Sequence, residues 1–257
     1  MFIEERHQKI LQIIKEKSRV EVQELSVYFD ISSDSIRRDL RLMEKKGWVK
    51  RTYGGAVLPQ KTGELMAFSK RTNINEKNKK SIAKLAASFI KDNDSILLDG
   101  STTVAKLVPL LSDYKNLTVV TNSIAIAHEI VNARNDIKLV VIGGIVQKNS
   151  ANTISVQSLK AIEELNVDKV FVAPCKITAN EGLFSSMIEE AFIKKAMLEA
   201  GREVYLLADS DKFEQKALAH IGPLKTDYTI ITDSHFNKEA EFAFKDYMDK
   251  GLKIIHR

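Results

Sequence analysis

The stretch ELSVYFDISSDSIRRDLRLMEKKGWVKRTYGGAV, residues 24–57, decides how this chain folds at its N-terminal end. Leu25 and Phe29 stand i and i+4 apart and place a short helix at about 22–29. Asp30-Ile31-Ser32 breaks it. The Ser32/Ser33 pair caps a second helix that runs to Lys46, where Gly47 stops it. At about 100° per residue, Ile36, Leu40 and Met43 share a narrow arc of that helix. Asp34, Arg37, Arg38 and Arg41 take the opposite side, and Ser35 and Leu42 lie together on one flank. WVKRTYGGAVL, 48–58, then reads as two strands turning near Gly54-Gly55.

Upstream, Ile10, Ile13 and Ile14 give an apolar stripe to a helix over 4–17, and RVEVQ is a short β-like piece. Three helices and a hairpin within residues 1–57 predict a winged helix-turn-helix domain. A charged helix face is ordinarily a solvated one, with Asp34 and Glu44 as ready partners for the arginines. The surroundings shift the reading: a preceding short helix, a three-residue break, a Ser cap and a basic hairpin directly after. The expected partner is double-stranded DNA. Arg37, Arg38 and Arg41 then face the major groove, where Arg pairs bidentately with guanine, and Ser33 and Ser35 stand at the end of the helix that meets base edges. Lys50 and Arg51 on the wing contact phosphates, or Arg51 the minor groove. Gly54 and Gly55 serve the turn. The charge balance agrees: residues 1–58 carry 12 Lys/Arg against 9 Asp/Glu, with much of the excess in 37–41 and 45–51, while the chain as a whole stands at +5.

Residues 58–70, LPQKTGELMAFSK, lack clean periodicity and are expected to be a linker. From about 71 to 257 the pattern alternates. Strand-like apolar runs at 95–99, 117–121, 137–144, 169–174, 203–209, 228–233 and 252–256 are separated by helical segments at about 76–91, 103–112, 123–133, 155–165, 189–201 and 238–249. Continuous apolar strands joined by helices predict an α/β domain, a mostly parallel sheet covered on both faces. No apolar run approaches the roughly 20 residues a bilayer needs. The single cysteine, Cys175, excludes an internal disulfide and a multi-cysteine metal site. MFIEERHQKI is charged and helical, unlike a secretory signal, so a cytoplasmic protein without metal or cofactor is expected.

The clearest site signal in the larger domain is LLDGSTTVAKLVPLL, 97–111. A buried strand ends in Asp99, and Gly100 admits close backbone approach. Ser101, Thr102 and Thr103 open a helix whose free N–H groups suit a phosphate. The plain alternative is a Ser/Thr cap after a strand. Thr121-Asn122, Gly143-Gly144 and Asp209-Ser210-Asp211-Lys212 also follow strands. In open α/β sheets ligands bind beyond the carboxyl ends of strands, so these groups share one crevice if the strands are neighbours. Lys212 would supply a compact positive charge.

The N-terminal stretch resembles the DeoR-family signature: a helix ending in Phe, then the Ser-rich cap, IRRDL, LMEKKG and RTYGGA, with Ser35 where the family often has Thr. EKNKKSIAKLAASFI (76–90), DGSTT, TVVTNS, GG, DKVFVA (168–173), EGLFS (181–185), EAFIKKAM (190–197) and ADSDKF (208–213) are similar to its effector domain. The resemblance implies a fold like ribose-5-phosphate isomerases and CoA-transferases, and a phosphorylated sugar or sugar alcohol as effector. It carries Asp99, Gly100, Ser101, Thr102, Thr103, Thr121, Asn122, Gly143, Gly144, Glu190, Lys194, Asp209 and Lys212 over as the effector site. Details of DGSTT and VPLL look most like the glucitol-operon-repressor branch. Four features depart from the pattern: Pro174-Cys175-Lys176-Ile177 in place of a Gly-rich turn, no Gly before the 155–165 helix, and Asp211 and Glu214 in place of Ser and Gly around Lys212.

The expected function is a transcriptional regulator, a repressor of a carbohydrate operon, acting as a homo-oligomer (dimer or tetramer) with the larger domain binding effector and holding the oligomer. The alternatives are a sugar-phosphate isomerase-like enzyme with an accessory DNA-binding domain, using Asp99, Glu190, Lys194 and Lys212 for proton transfer, and a regulator whose α/β domain only oligomerises.

Overall fold

A computed structural model describes residues 3–17, 19–52, 54–57, 67–133 and 136–256. The chain divides into two compact units, Met1–Lys61 and Thr62–Arg257.

The first unit runs α1 (Ile3–Lys17), β1 (Arg19–Glu21), α2 (Val22–Phe29), α3 (Ser33–Lys45), β2 (Lys50–Thr52) and β3 (Gly55–Val57). The β-like piece before α2 joins the wing, giving an antiparallel sheet of order β1-β3-β2. Asp30, at φ 51, closes α2 in the left-handed region, and the Ser32 side chain accepts from Ser35 N to start α3. Ile36, Leu40 and Met43 are buried with Ile10, Ile14, Val20 and Leu25. Gly54 takes φ +83 at the turn. Gly55 is needed for another reason: a Cβ there would lie 1.9 Å from Val20 O, so only glycine lets β3 close on β1.

The second unit opens with α4 (Phe68–Thr72), which takes up the last residues of the expected linker; residues 58–66 lie outside the described ones. Phe68 N donates to Asn149 O at 2.7 Å. There follow α5 (Glu76–Ala87), β4 (Ser95–Leu98), a 3-10 helix (Val104–Asp113), β5 (Thr118–Thr121), α6 (Ile124–Asn132), β6 (Lys138–Val141), and the hairpin β7 (Val146–Gln147) and β8 (Asn152–Thr153). The rest is α7 (Val156–Glu163), β9 (Val167–Val172), β10 (Lys176–Thr178), β11 (Gly182–Ser185), α8 (Ile188–Ala200), β12 (Gly201–Leu207), a 3-10 turn (Ser210–Lys212), β13 (Ala219–Gly222), β14 (Thr229–Thr232), α9 (Lys238–Ala243), α10 (Lys245–Asp249) and β15 (Lys253–His256).

The seven-stranded sheet has order β15-β14-β12-β9-β4-β5-β6, every pair parallel. One apolar layer, with Leu97, Val170, Met197, Leu206 and Ile230, fills one face; another, with Ile82, Ile96, Leu107, Phe171 and Leu207, fills the other. A second sheet, β10-β11-β13, is antiparallel and was not expected from the sequence. The segment after DGSTT is helical as expected but wound as a 3-10 helix with Pro109 inside it. Proline lacks the N–H of an i→i−4 bond and crowds the carbonyl four residues back, which disfavours the α form there. From β4 the chain moves outward through β5 and β6, then returns to the other side of β4 with β9. The order therefore reverses between β4 and β9, where α/β sheets open a crevice at their carboxyl edge.

Candidate functional site

On α3, Arg37, Arg38 and Arg41 are exposed, as are Lys50 and Arg51 on the wing; Ser33 and Ser35 are half-buried at the start of the helix. Arg37 Nη1 donates to Asp34 at 2.8 Å between two exposed side chains, a contact that strong competing anions displace at little cost. Glu44 accepts from Arg51 N at 2.8 Å and so ties the wing to the end of α3. Asp39 is different in kind: it is buried, accepts from Arg6 Nε at 2.7 Å and Arg6 Nη2 at 3.2 Å, and lies 3.2 Å from His7 Nε2. The acidic residue of RRDL therefore fastens α1 to α3 and faces away from the exposed arginines. Sequence reading left it without a role because its partners are 32 and 33 residues away.

In the second unit the strands that precede Asp99, Thr121, Gly143 and Asp209 are all parallel members of one sheet, so these residues collect at one edge. Asp99, at the reversal point, is 1% exposed. One of its oxygens accepts from Ser101 N at 2.8 Å; the other accepts from Ala173 N at 2.9 Å and from Lys194 Nζ. Both oxygens are thus engaged by the fold. Lys194 also donates to Ala173 O at 2.8 Å and lies 3.8 Å from Glu190, which accepts from Ser185 Oγ at 2.6 Å. Burial alone would pull the Lys194 ammonium down, but Asp99 and Glu190 outweigh it and raise its pKa. Asp99, Lys194 and Glu190 form one closed buried network joining β4, β9 and α8.

Gly100 meets a neighbour: a Cβ there would lie 1.7 Å from Asn152 Oδ1. Ser101 Oγ accepts from Val104 N at 3.1 Å and caps the 3-10 helix. Among the described residues the N–H groups of Gly100, Thr102 and Thr103 have no protein partner. Thr121 Oγ1 donates to Leu98 O at 2.9 Å and accepts from Ser123 N at 3.1 Å, an internal use. Asn122 Nδ2 donates to Thr153 O at 3.0 Å. Gly144, at φ +137, packs against Ser155 and Ser158 at the start of α7, where Ser155 caps the helix without the glycine expected before it; Gly143 O accepts from Ser158 Oγ at 2.7 Å. Asp209 is buried and starts the turn that carries Lys212.

One residue outside the sequence-derived set joins them. Lys79 on α5 is 5% exposed, donates to Arg71 O at 2.6 Å, and is pushed down to about 8 by burial and by the charges of Lys212, Arg71 and Lys106, against the opposing pull of Asp209. Lys106 is itself paired with Glu76 at 3.1 Å, so Asp209 is the carboxylate that offsets Lys79, Lys212 and Arg71. The signal was present in the sequence: Lys79 falls on the same face of α5 as Ile82, Ala83 and Ala86, where a lysine is out of place. Of the departures, Asp211 is exposed and accepts from Asn75 Nδ2, and Lys176 donates to Asp211 O. Glu214 takes φ 50, a conformation suited to glycine, and its carboxylate accepts from Ala179 N at 2.9 Å.

Two family models match this chain: a DeoR-like helix-turn-helix domain over residues 6–62 and a DeoR C-terminal sensor domain over residues 74–234. An uncharacterized helix-turn-helix transcriptional regulator of Bacillus subtilis, YulB, is 35% identical over 99% of this chain and 96% of its own length. The L-fucose operon activator of Haemophilus influenzae is 34% identical over 89% of this chain and 91% of its own. Among solved structures, ribose 5-phosphate isomerase A of Methanocaldococcus jannaschii aligns at 18% identity over 54% of this chain and 55% of that one, with a TM-score of 0.38, too low to carry an argument. Among the described residues no helix is long and apolar enough to cross a membrane. A winged domain with an outward arginine face, followed by a sensor domain matched across its crevice, fits one assignment: the chain belongs to the DeoR family of helix-turn-helix transcriptional regulators.

Proposed function

We propose that this regulator represses a carbohydrate-utilisation operon in the cytoplasm and leaves its operator when a phosphorylated sugar or sugar alcohol enters the crevice beyond β4 and β9. The observation that carries the reading is the set of N–H groups of Gly100, Thr102 and Thr103 without a partner among the described residues, beside hydroxyls, on a sheet edge that also bears Lys79 and Lys212. Converging N–H groups and desolvated cations suit a phosphate dianion. Repression asks only that an oligomer occupy the promoter, and one α3 reads too few base pairs to find a unique operator, so two or more copies on repeated half-sites are expected. Ser33, Ser35, Arg37, Arg38 and Arg41 read the major groove, with Lys50 and Arg51 on the backbone or minor groove.

An isomerase reading needs a free acid or base near the ligand. Of the four candidates, Asp99, Lys194 and Glu190 are closed on one another and Lys212 stands outside that network; three of four so engaged favours binding without turnover. The test is a calorimetric titration of phosphorylated sugars and polyols with and without operator. A coupling of about 1–3 kcal/mol shifts ligand affinity roughly 5–150-fold between the two titrations, and operator affinity by the same factor. Thr102→Val and Lys212→Ala should weaken the ligand and leave ligand-free operator binding unchanged. Equal ligand affinities in the two titrations would remove the sensor from control of DNA, and interconversion of the phosphosugars would restore the enzyme.

A further inference from the structure

Two asparagine side chains at the crevice are buried with one end satisfied and the other not. Asn122 is 2% and Asn152 is 3% exposed, and neither Oδ1 has a partner among the described residues. Their amide orientations follow from the bonds they make: Asn122 Nδ2 donates to Thr153 O at 3.0 Å and Asn152 Nδ2 to Gly100 O at 3.4 Å, so in each case the oxygen is the end left over. The two residues are locked together through backbone as well. Thr153 N donates to Asn122 O at 2.8 Å, and Ser123 and Asn152 form an antiparallel bridge. Asn152 thereby reaches from the β7–β8 hairpin across to the glycine of DGSTT, where its oxygen occupies the space a side chain at position 100 would need.

Buried amide oxygens are almost always hydrogen-bonded, and leaving one unmade costs about 1–3 kcal/mol. Carbonyl-type oxygens accept only, so the groups that complete them are hydrogen donors. They cannot contact the phosphate of a bound dianion, which has no hydrogen to give. They can accept from the hydroxyls of the carbon chain that follows it. We infer that Asn122 and Asn152 are the hydroxyl-reading pair of the sensor, and that Asn152, brought in by the hairpin, sets the preference for a polyhydroxylated phosphate ester over phosphate alone. This rests on the reading of the crevice as a phosphate-ester site. Gly100 is then glycine to seat Asn152, beside its free N–H.

The test is calorimetry on the full-length protein with three probes: inorganic phosphate, glycerol phosphate and glucitol phosphate. The wild type should bind glucitol phosphate more tightly than inorganic phosphate. Asn152→Ala should shrink that ratio by about three- to tenfold, as loss of one neutral hydrogen bond implies, with inorganic phosphate affinity unchanged. Asn152→Ser, which keeps an acceptor oxygen, should recover part of it. Thermal melts of each variant show whether the domain is intact. If Asn152→Ala keeps the wild-type ratio, water completes these oxygens and the inference is wrong while the phosphate site stands. If phosphate and ester affinities fall together, Asn152 only supports the loop, and the inference is again wrong. If the wild type binds none of the three probes, both the inference and the crevice reading fall.

Discussion

The exposed face of α3 and the crevice beyond β4 use charge in opposite ways. Arg37, Arg38 and Arg41 stand in solvent, Arg37 paired with Asp34, and the domain holds together through apolar residues and the buried Asp39 on the other side of the helix. At the sheet edge, Asp99, Lys194, Glu190 and Thr121 are buried; Asp99, Lys194 and Thr121 bond backbone groups, and Glu190 bonds Ser185 Oγ. A surface that must bind a polyanion of many sequences keeps its cations mobile and solvated. A pocket that must distinguish one small ligand needs its walls fixed, and its charged residues are part of the frame.

The comparison can be broken most severely at Lys194. Lys194→Met leaves Asp99 and Glu190 buried without their cation, and should cost the second unit about 3–5 kcal/mol in denaturant unfolding. Arg38→Ala should leave the melting of the first unit almost unchanged, within about 0.5 kcal/mol, yet cost about 1–3 kcal/mol in operator affinity and relax one base position. If Arg38→Ala destabilises the fold as much as Lys194→Met does, the contrast between the two regions is false. Lys50→Ala sharpens it further. A phosphate contact on the wing should, when lost, weaken all DNA sequences alike and reduce the slope of log affinity against log salt by about one.

The smallest effect is a pH dependence. Lys79 titrates near 8, below the ordinary 10.5, facing Lys212, Asp209, Arg71 and Lys106. Between these values the unfolded chain holds a proton that the folded one has lost, so this group adds stability as pH rises from about 8 toward 10.5. A bound phosphate dianion draws the proton back. Affinity for a phosphate ester should therefore decline as pH passes about 8, with proton uptake visible as a dependence of the binding heat on buffer. In Lys79→Met the buffer dependence should vanish; its persistence would place the proton on another group.

The two regions also differed in how far they could be read in advance. The stripe on α3 needed only its own residues, because a wheel assigns inside and outside without knowing what lies across. The parallel strands were legible for the same reason, as unbroken apolar runs. Roles in the crevice were not, since Asp99 is completed by a lysine 95 positions on and Gly100 by an asparagine 52 positions on. The antiparallel sheet β10-β11-β13 escaped because its strands are short and lie on either side of α8 and β12. Lys79 was visible as a misplaced charge on an apolar face. Glu214 was noticed as a departure, and its positive φ shows what the departure costs locally.

Phe68 donates its N–H to Asn149, on the loop that joins β7 to β8. That bond makes the hairpin a mooring. It is held at one end by Asn122 and Gly100 at the crevice and at the other by the chain where it enters α4. Whatever moves the hairpin moves the mooring point, with no signal having to cross the seven-stranded sheet.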